Sequence, residues 1–362
     1  MRQIDKYMER QFLIILGISL LGFITVFLIV DLIENLDRFM DNRVPGNIVA
    51  KYYLFSIPWL ISIALPMSML ISTVFSVGLL VKRNEWTAMK SSGISLYRLA
   101  WPLLLTGALM SVLSFVLDNQ LVSWGNENRF EIDRDHIKRR SRHKLKNTLK
   151  YIFIQKNITT HIGLEKYEIK KMSGNILTWV DLGTGVLKKR IDAKKILWES
   201  DSTKWKITDF SIRSFIDGVE DHVVFSDSDT LLELHFTPED INRQARSPDE
   251  LDYYELTDRI RQLKDNGVKT VRWEVTRYMK VSFAFTNLIV VLFGIPLVVL
   301  RERSNLSFGA GMSVFVIFSY YAFIKFGQSL GFKGQVTPLA SAWIGNVVFM
   351  IGGIILLLRA RK

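Results

Sequence analysis

Cysteine is absent from the 362 residues, which excludes disulfides, thiolate-bound metals and thiol nucleophiles. Histidine is scarce: the five residues His136, His143, His161, His222 and His235 show no close metal-ligand spacing, so no metal site is expected. The sequence has no G-x-x-x-x-G-K-[ST], no G-x-S-x-G, no H-E-x-x-H and no convincing pair of catalytic side chains. Scattered carboxylates such as Asp227, Asp229 and Glu233 fit strand edges and turns. No catalytic residue and no bound cofactor are therefore expected. Charge is also nearly missing from the middles of the long apolar stretches. Ion-coupled carriers usually keep ionisable groups there, so an autonomous secondary transporter is disfavoured and any active transport would draw energy from another protein.

What is present is strongly patterned. The chain is 49% hydrophobic with mean hydropathy +0.18, and the apolar residues gather towards the two ends around a polar middle. A membrane-crossing helix needs about 20 mostly apolar residues. Six stretches qualify: Phe12–Ile33, Tyr52–Val81, Leu96–Val122, Val281–Leu300, Leu306–Gly331 and Val336–Leu358. The second contains Pro58 and Pro66, tolerable where neighbouring helices satisfy the freed backbone groups. The first is too long for a signal peptide and is followed by VDLIENLDRF in place of a small-residue cleavage site, so it reads as a retained anchor. The net charge of +12 would suggest nucleic acid in a soluble protein, but much of it falls on membrane flanks and one short basic run. No nucleic-acid partner is expected.

The short loops give an orientation. Arg2, Lys6, Arg10, Lys82, Arg83, Lys90, Arg98, Arg301, Arg303, Arg359, Arg361 and Lys362 fall on one side, which is read as cytoplasmic with both termini inside. The large polar middle is then outside, although it carries HIKRRSRHKLK at 136–146, because long domains translocate largely regardless of charge. After a helical lead-in at about 124–147, this middle becomes period-two: KYIFIQKN, EKYEIKKM, NILTWVDL, KKILWES, KWKITDFSI, DHVVFS and LLELHF alternate, or nearly so. Turn residues separate them at Ser173-Gly174, Gly183-Thr184-Gly185, Asp201-Ser202 and Asp217-Gly218. Many short strands at this spacing predict an antiparallel sandwich, barrel or jellyroll. SPDE at 247–250 reads as a helix start, with Ser247 as N-cap, Pro248 in the first helical position and Glu250 closing a capping box. That helix is expected to stop at Asn266-Gly267, and VRWEVTRYMK to link it to the fourth span.

The connector VKRNEWTAMKSSGIS at 81–95 exceeds what a turn requires. Lys82–Ser92 is long enough for about three helical turns, with Glu85 favouring the amino-terminal dipole and Gly93 stopping the helix. Two readings are open: a docking surface for another protein, or an interfacial helix lying on lipid headgroups with Trp86 as aromatic anchor. At the other boundary, Arg38, Arg43, Lys51, Arg277, Lys280, Lys325 and Lys333 either snorkel to water and lipid phosphate or bind a phosphorylated lipid. Gly309, Gly311, Gly345, Gly352 and Gly353 allow helices to approach closely, more simply within one subunit than between two.

In order and spacing the chain resembles the lipopolysaccharide-export permeases of the LptF/LptG family. The residues that carry the resemblance are IDKYMERQFL at 4–13, DLIENLDRF at 31–39, LPMSMLISTVFSVGLL at 65–80, RNEWTAMKSSGIS at 83–95, the acidic helix at 249–264 with its Asn266-Gly267 stop, FGIPLVVL at 293–300, FGAGMSVFVIFSYY at 308–321 and TPLASAWIGNVVF at 337–349. They span essentially the whole chain, and DLIENLDRF leans to the G type. The resemblance implies a polytopic α-helical membrane protein of six transmembrane helices with an inserted all-β periplasmic jellyroll. Residues 1–123 would hold helices one to three with a coupling helix at about 82–93, residues 124–275 the jellyroll with flanking helices, and residues 276–362 helices four to six. It implies a transport permease and not an enzyme, placed in the bacterial inner membrane, with ATP bound by a partner. The implied partners are a paralogous permease, a cytoplasmic ATPase dimer, a single-span periplasmic jellyroll protein and lipopolysaccharide. Arg83, Glu85, Trp86, Ala88, Met89 and Gly93 would couple to the ATPase, with Trp86, Ala88 and Met89 filling its groove. Arg38 sits where the family carries cavity cations, and with Lys325, Lys280 and Arg277 it would meet lipid phosphate at the cavity rim. Two further readings are a permease of another lipid or lipoprotein exporter, and a membrane-anchored periplasmic scaffold. The coupling-type connector speaks against the scaffold.

Overall fold

The computed structural model describes residues 3–137, 148–155, 159–183, 186–200, 202–216, 219–234, 236–238, 241, 246–265, 269–300 and 306–360. Several expectations lie outside the described residues: most of the basic stretch at 136–146, Thr184-Gly185, Asp201, Asp217-Gly218, the Asn266-Gly267 stop, and Arg2, Arg301, Arg303, Arg361 and Lys362. Two compact units form, one from residues 1–133 with 248–362 and one from residues 134–247.

The first unit is helical. In chain order it has α1 (Gln3–Asp41), α2 (Gly46–Lys82), α3 (Glu85–Ser91), α4 (Leu96–Leu117), a π-helical turn (Asp118–Val122), α5 (Ser123–Ile132), α6 (Tyr253–Asp265), α7 (Val271–Val299), α8 (Leu306–Phe332) and α9 (Pro338–Arg359). Six of these stretches are long and apolar enough to cross a membrane: α1, α2, α4 with α5, α7, α8 and α9. α2 is the most enclosed, packing on α1, α7 and α8. Its buried hydroxyls satisfy themselves along the helix: Ser68, Ser72 and Thr73 donate to the carbonyls of Ala64, Ser68 and Met69. Gly294 of α7 lies against this face, where an added Cβ would sit 2.9 Å from Leu70 Cδ1 and 3.0 Å from Thr73 Cγ2. Gly345, Gly352 and Gly353 also sit at crossings inside the subunit, whereas nothing lies within 4 Å of a Cβ at Gly311.

Two local expectations are corrected. VRWEVTRYMK is not a separate link but the first part of α7. It contains no glycine or proline to break a helix, and Glu274 in its first turn accepts from Thr270 Oγ1 (2.7 Å) and pairs with Lys264 (2.8 Å). The helix start expected at Ser247–Glu250 is only a 3-10 turn, Pro248–Glu250. The α-helix begins after Asp252, whose carboxylate accepts the Glu255 N–H at 2.7 Å while the Glu255 carboxylate accepts the Asp252 N–H at 3.2 Å. Both segments have capping-box spacing, but Glu250 is buried and the second box forms in its place.

The second unit is a seven-stranded antiparallel sheet of β1 (Thr148–Gln155), β2 (Thr160–Glu168), β3 (Ser173–Leu182), β4 (Leu187–Glu199), β5 (Lys204–Ile216), β6 (Val219–Ser226) and β7 (Thr230–Leu232). Chain neighbours pair from β1 to β6 and β7 returns to β5, the connectivity of a meander among the described residues. The core centres on Trp205, stacked on Phe236 at 4.8 Å and donating from Nε1 to the Phe236 carbonyl at 2.7 Å. A row of unpaired residues crosses five strands. Tyr151, Glu165, Ile176, Lys194 and Asp209 stand opposite one another in register yet form no ladder pair, although the pairs on both sides of them do. Inward alternation resets at this row: Leu164 is followed by Tyr167, Ala193 by Ile196 and Ile207 by Phe210. The inward alternation of these strands therefore resets along one line.

Ile176 and Asp209 bend by adopting positive φ, 53° and 50°. For a β-branched residue this is costly, and Ile176 is 53% exposed, so its side chain recovers little by burial. Ile176→Asn should stabilise the sheet by about 1 kcal/mol, because Asn tolerates the left-handed region. Slower hydrogen exchange of the β3 and β4 amides is the expected reading.

Candidate functional site

The connector between α2 and α4 has every backbone turn specified by its sequence. α2 ends with Arg83 N–H on the Leu79 carbonyl and Asn84 N–H on the Val81 carbonyl, each at 3.0 Å. Asn84 then takes a left-handed conformation (φ 59°), which its short amide side chain tolerates. Its carbonyl accepts the Ala88 N–H at 3.0 Å and starts α3. α3 closes with Gly93 at φ 82°, the Gly93 N–H on the Lys90 carbonyl (2.9 Å) and the Ile94 N–H on the Met89 carbonyl (3.3 Å). This is a Schellman ending, and its two hydrophobic positions, Met89 and Ile94, both pack against the bundle core. Ser95 caps α4 by accepting the Arg98 N–H at 3.3 Å.

The structure shortens the expected helix and turns one residue over. Lys82 belongs to α2, and the chain breaks at Asn84, so α3 has two turns where three were expected. Trp86 is 3% exposed within the main apolar cluster, so it anchors α3 inward and is not presented as a knob for a partner's groove. Met89 is half-buried beside the same cluster. The outward face is Arg83, Asn84, Thr87, Ala88, Ser91 and Ser92, mostly small side chains. Thr87, Ser91 and Ser92 were missed by sequence reasoning. Helical spacing from Trp86 would have found them had its direction been known. Glu85 lies at the edge of this face, accepting from Tyr7 Oη at 3.4 Å and 3.9 Å from Arg83 Nη1.

The cations expected at a lipid rim fall into two groups. Arg38, in the last turn of α1, is exposed and donates to Asn35 Oδ1 at 3.1 Å. Lys325 on α8 is exposed and donates to Gln328 Oε1 at 3.1 Å. Arg277 is half-buried with its guanidinium 4.8 Å from the Tyr278 ring centroid. Lys280 differs from the expectation: its side chain is 9% exposed, and its ammonium meets Asp118 Oδ2 at 2.9 Å and Ser123 Oγ at 3.3 Å. It is an internal partner of the π-helical turn that ends α4, not a free cation. The same turn is tied to the segment before α6, since Asn119 Oδ1 accepts the Tyr253 N–H at 2.6 Å and Ser123 Oγ donates to the Leu251 carbonyl at 3.2 Å. Among the described residues no group of His, Asp and Glu is arranged to hold a metal.

Two features dominate the site: a rigidly framed, small-residue face on the α2–α4 connector, and a set of exposed basic side chains on α1 and α8. A family model described as the lipopolysaccharide export system permease LptF/LptG matches residues 6–359. Comparison with curated proteins gives no match.

Proposed function

From the premise that the chain belongs to the LptF/LptG family of lipopolysaccharide export permeases, we propose that residues 83–93 are where a partner ATPase drives it. Membership makes the chain a multi-pass inner-membrane transport permease of lipopolysaccharide, not an enzyme. Arg83 and Glu85 engage the ATPase by charge. Ala88, with Thr87, Ser91 and Ser92, lets its backbone approach closely. Met89, Gly93 and inward-facing Trp86 hold α3 in shape. The observation that carries this is the framed connector itself: a chain without an ATP-binding motif fixes both ends of a two-turn helix and presents an exposed face of mostly small residues.

The cations of this connector support a cytoplasmic position for it and for both termini, with the β unit in the periplasm. Functionally, residues 1–123 and 276–362 form the translocating halves, and residues 124–275 the periplasmic insert. A paralogous permease completes the cavity, a single-span periplasmic protein extends the β unit, and the DLIENLDRF exit of α1 favours the G type. Arg38, Lys325 and Arg277 are the cations for lipid phosphate, where paired charge-assisted contacts are strongest.

Purification from the native membrane tests the whole reading. A second permease, an ATPase and lipopolysaccharide should accompany the chain. Recovery with no ATPase, or with a different glycolipid, would remove the coupling role or the substrate. A photo-crosslinker at position 38 should capture lipopolysaccharide during export, and failure to do so would return Arg38 to snorkelling.

A further inference from the structure

The amino-terminal turn of α1 reaches both ends of the connector, firmly at Arg98 and loosely at Glu85. Arg98, in the first turn of α4, donates twice to Asp5: Nη1 to Oδ1 at 3.0 Å and Nη2 to Oδ2 at 2.8 Å. The Asp5 side chain is 10% exposed. At the other end of the connector, Tyr7 Oη reaches Glu85. Between these two links, Met8 and Phe12 of α1 share one buried cluster with Trp86, Leu96 and Leu99. Away from this turn α1 is little enclosed: Leu13, Ile14, Ile18, Leu21 and Val26 are all exposed. Among the described residues this span is the least buried of the six, and beside its packing on α2 it is fixed to the connector by a planar two-bond pair. Such a pair resists both sliding and rotation, as a single point contact does not.

We propose that Asp5 and Arg98 are positioning residues of transport: they make α1 follow the connector, so that a displacement of α3 reaches span one. Neither residue touches the ATPase or the lipid. The proposal rests on reading residues 83–93 as the coupling segment. Its distinguishing prediction is that breaking the pair separates ATP hydrolysis from export, whereas damaging the docking face loses both together.

The test uses the complete complex in vesicles loaded with lipopolysaccharide. ATPase retention, ATP hydrolysis and lipopolysaccharide released per ATP are measured for Asp5→Asn, Arg98→Lys, the swap Asp5→Arg with Arg98→Asp, and Glu85→Lys. Asp5→Asn should keep the ATPase and its hydrolysis while release per ATP falls about fivefold or more. Arg98→Lys, which keeps the charge and loses the fork, should fall less, and the swap should recover most of the loss. Where Asp5→Asn does not accumulate, Arg98→Lys and the swap decide. Parental release per ATP in the single variants, a swap no better than the singles, or loss of the ATPase from Asp5→Asn would each overturn the proposal. Full ATPase retention by Glu85→Lys would instead overturn the coupling-segment reading on which it rests.

Discussion

Glu85→Lys should strip the ATPase from the purified complex and stop export, while the chain itself still accumulates in the membrane. The carboxylate sits at the margin of the exposed α3 face, half-buried and held loosely by Tyr7 at 3.4 Å and Arg83 at 3.9 Å. Both contacts are long and easily exchanged for a better donor on a partner. Reversing a charge that is desolvated on docking removes one favourable pair and adds one repulsive pair. The expected loss is about 2–5 kcal/mol, or at least about thirtyfold in affinity. Little should happen to folding, because α3 is anchored from its other side by Trp86 and Met89. Arg83→Ala should be milder, since that side chain is 57% exposed and works in high dielectric. Co-purification at graded salt separates the two. Equal retention of the ATPase by the parent and by Glu85→Lys would end the case for this face.

The second large effect is expected at Asp118. Removing its carboxylate leaves the Lys280 ammonium enclosed, with Ser123 Oγ its one remaining side-chain contact among the described residues. Breaking a fully buried pair from one side costs about 3–5 kcal/mol, and this part-buried one falls at the lower end, about 3 kcal/mol. Asp118→Ala should therefore lower the thermal midpoint in detergent sharply and reduce the amount of chain in the membrane. The double variant Asp118→Leu with Lys280→Met should recover most of the loss, because replacing both partners avoids the stranded charge. If Lys280 served lipid phosphate, the double variant would fold and fail to export. If it serves the π-helical turn, export should return with stability.

The six spans were legible because hydropathy over long windows is a property of composition and needs no knowledge of contacts. The glycine stop at Gly93 was legible for a similar reason, since a left-handed helix end is a local demand. The direction of Trp86 was not. In a seven-residue helix an anchor and a knob give the same pattern, and only packing into the helical unit's apolar cluster decides. The fate of Lys280 was hidden by distance, because its carboxylate lies 162 residues earlier in the chain. The β strands were legible as strands, but KKILWES and KWKITDFSI alternate imperfectly. The reason is the transverse row through Lys194 and Asp209, which is a property of five strands together and of no single one.

That row also acts as a ruler on chain length. Because β1 to β5 all lose a ladder pair at the same height, and the inward alternation of β2, β4 and β5 resets there, each strand carries a fixed residue count between the row and its hairpin. Deleting one residue from β4 between Lys194 and Glu199 would either move its break away from those of β3 and β5, or turn Ile196 and its neighbours to the opposite face. Insertions and deletions in this unit should therefore be confined to the hairpin tips, and the strand segments should behave as blocks of set size when the unit is trimmed, fused or grafted onto another scaffold.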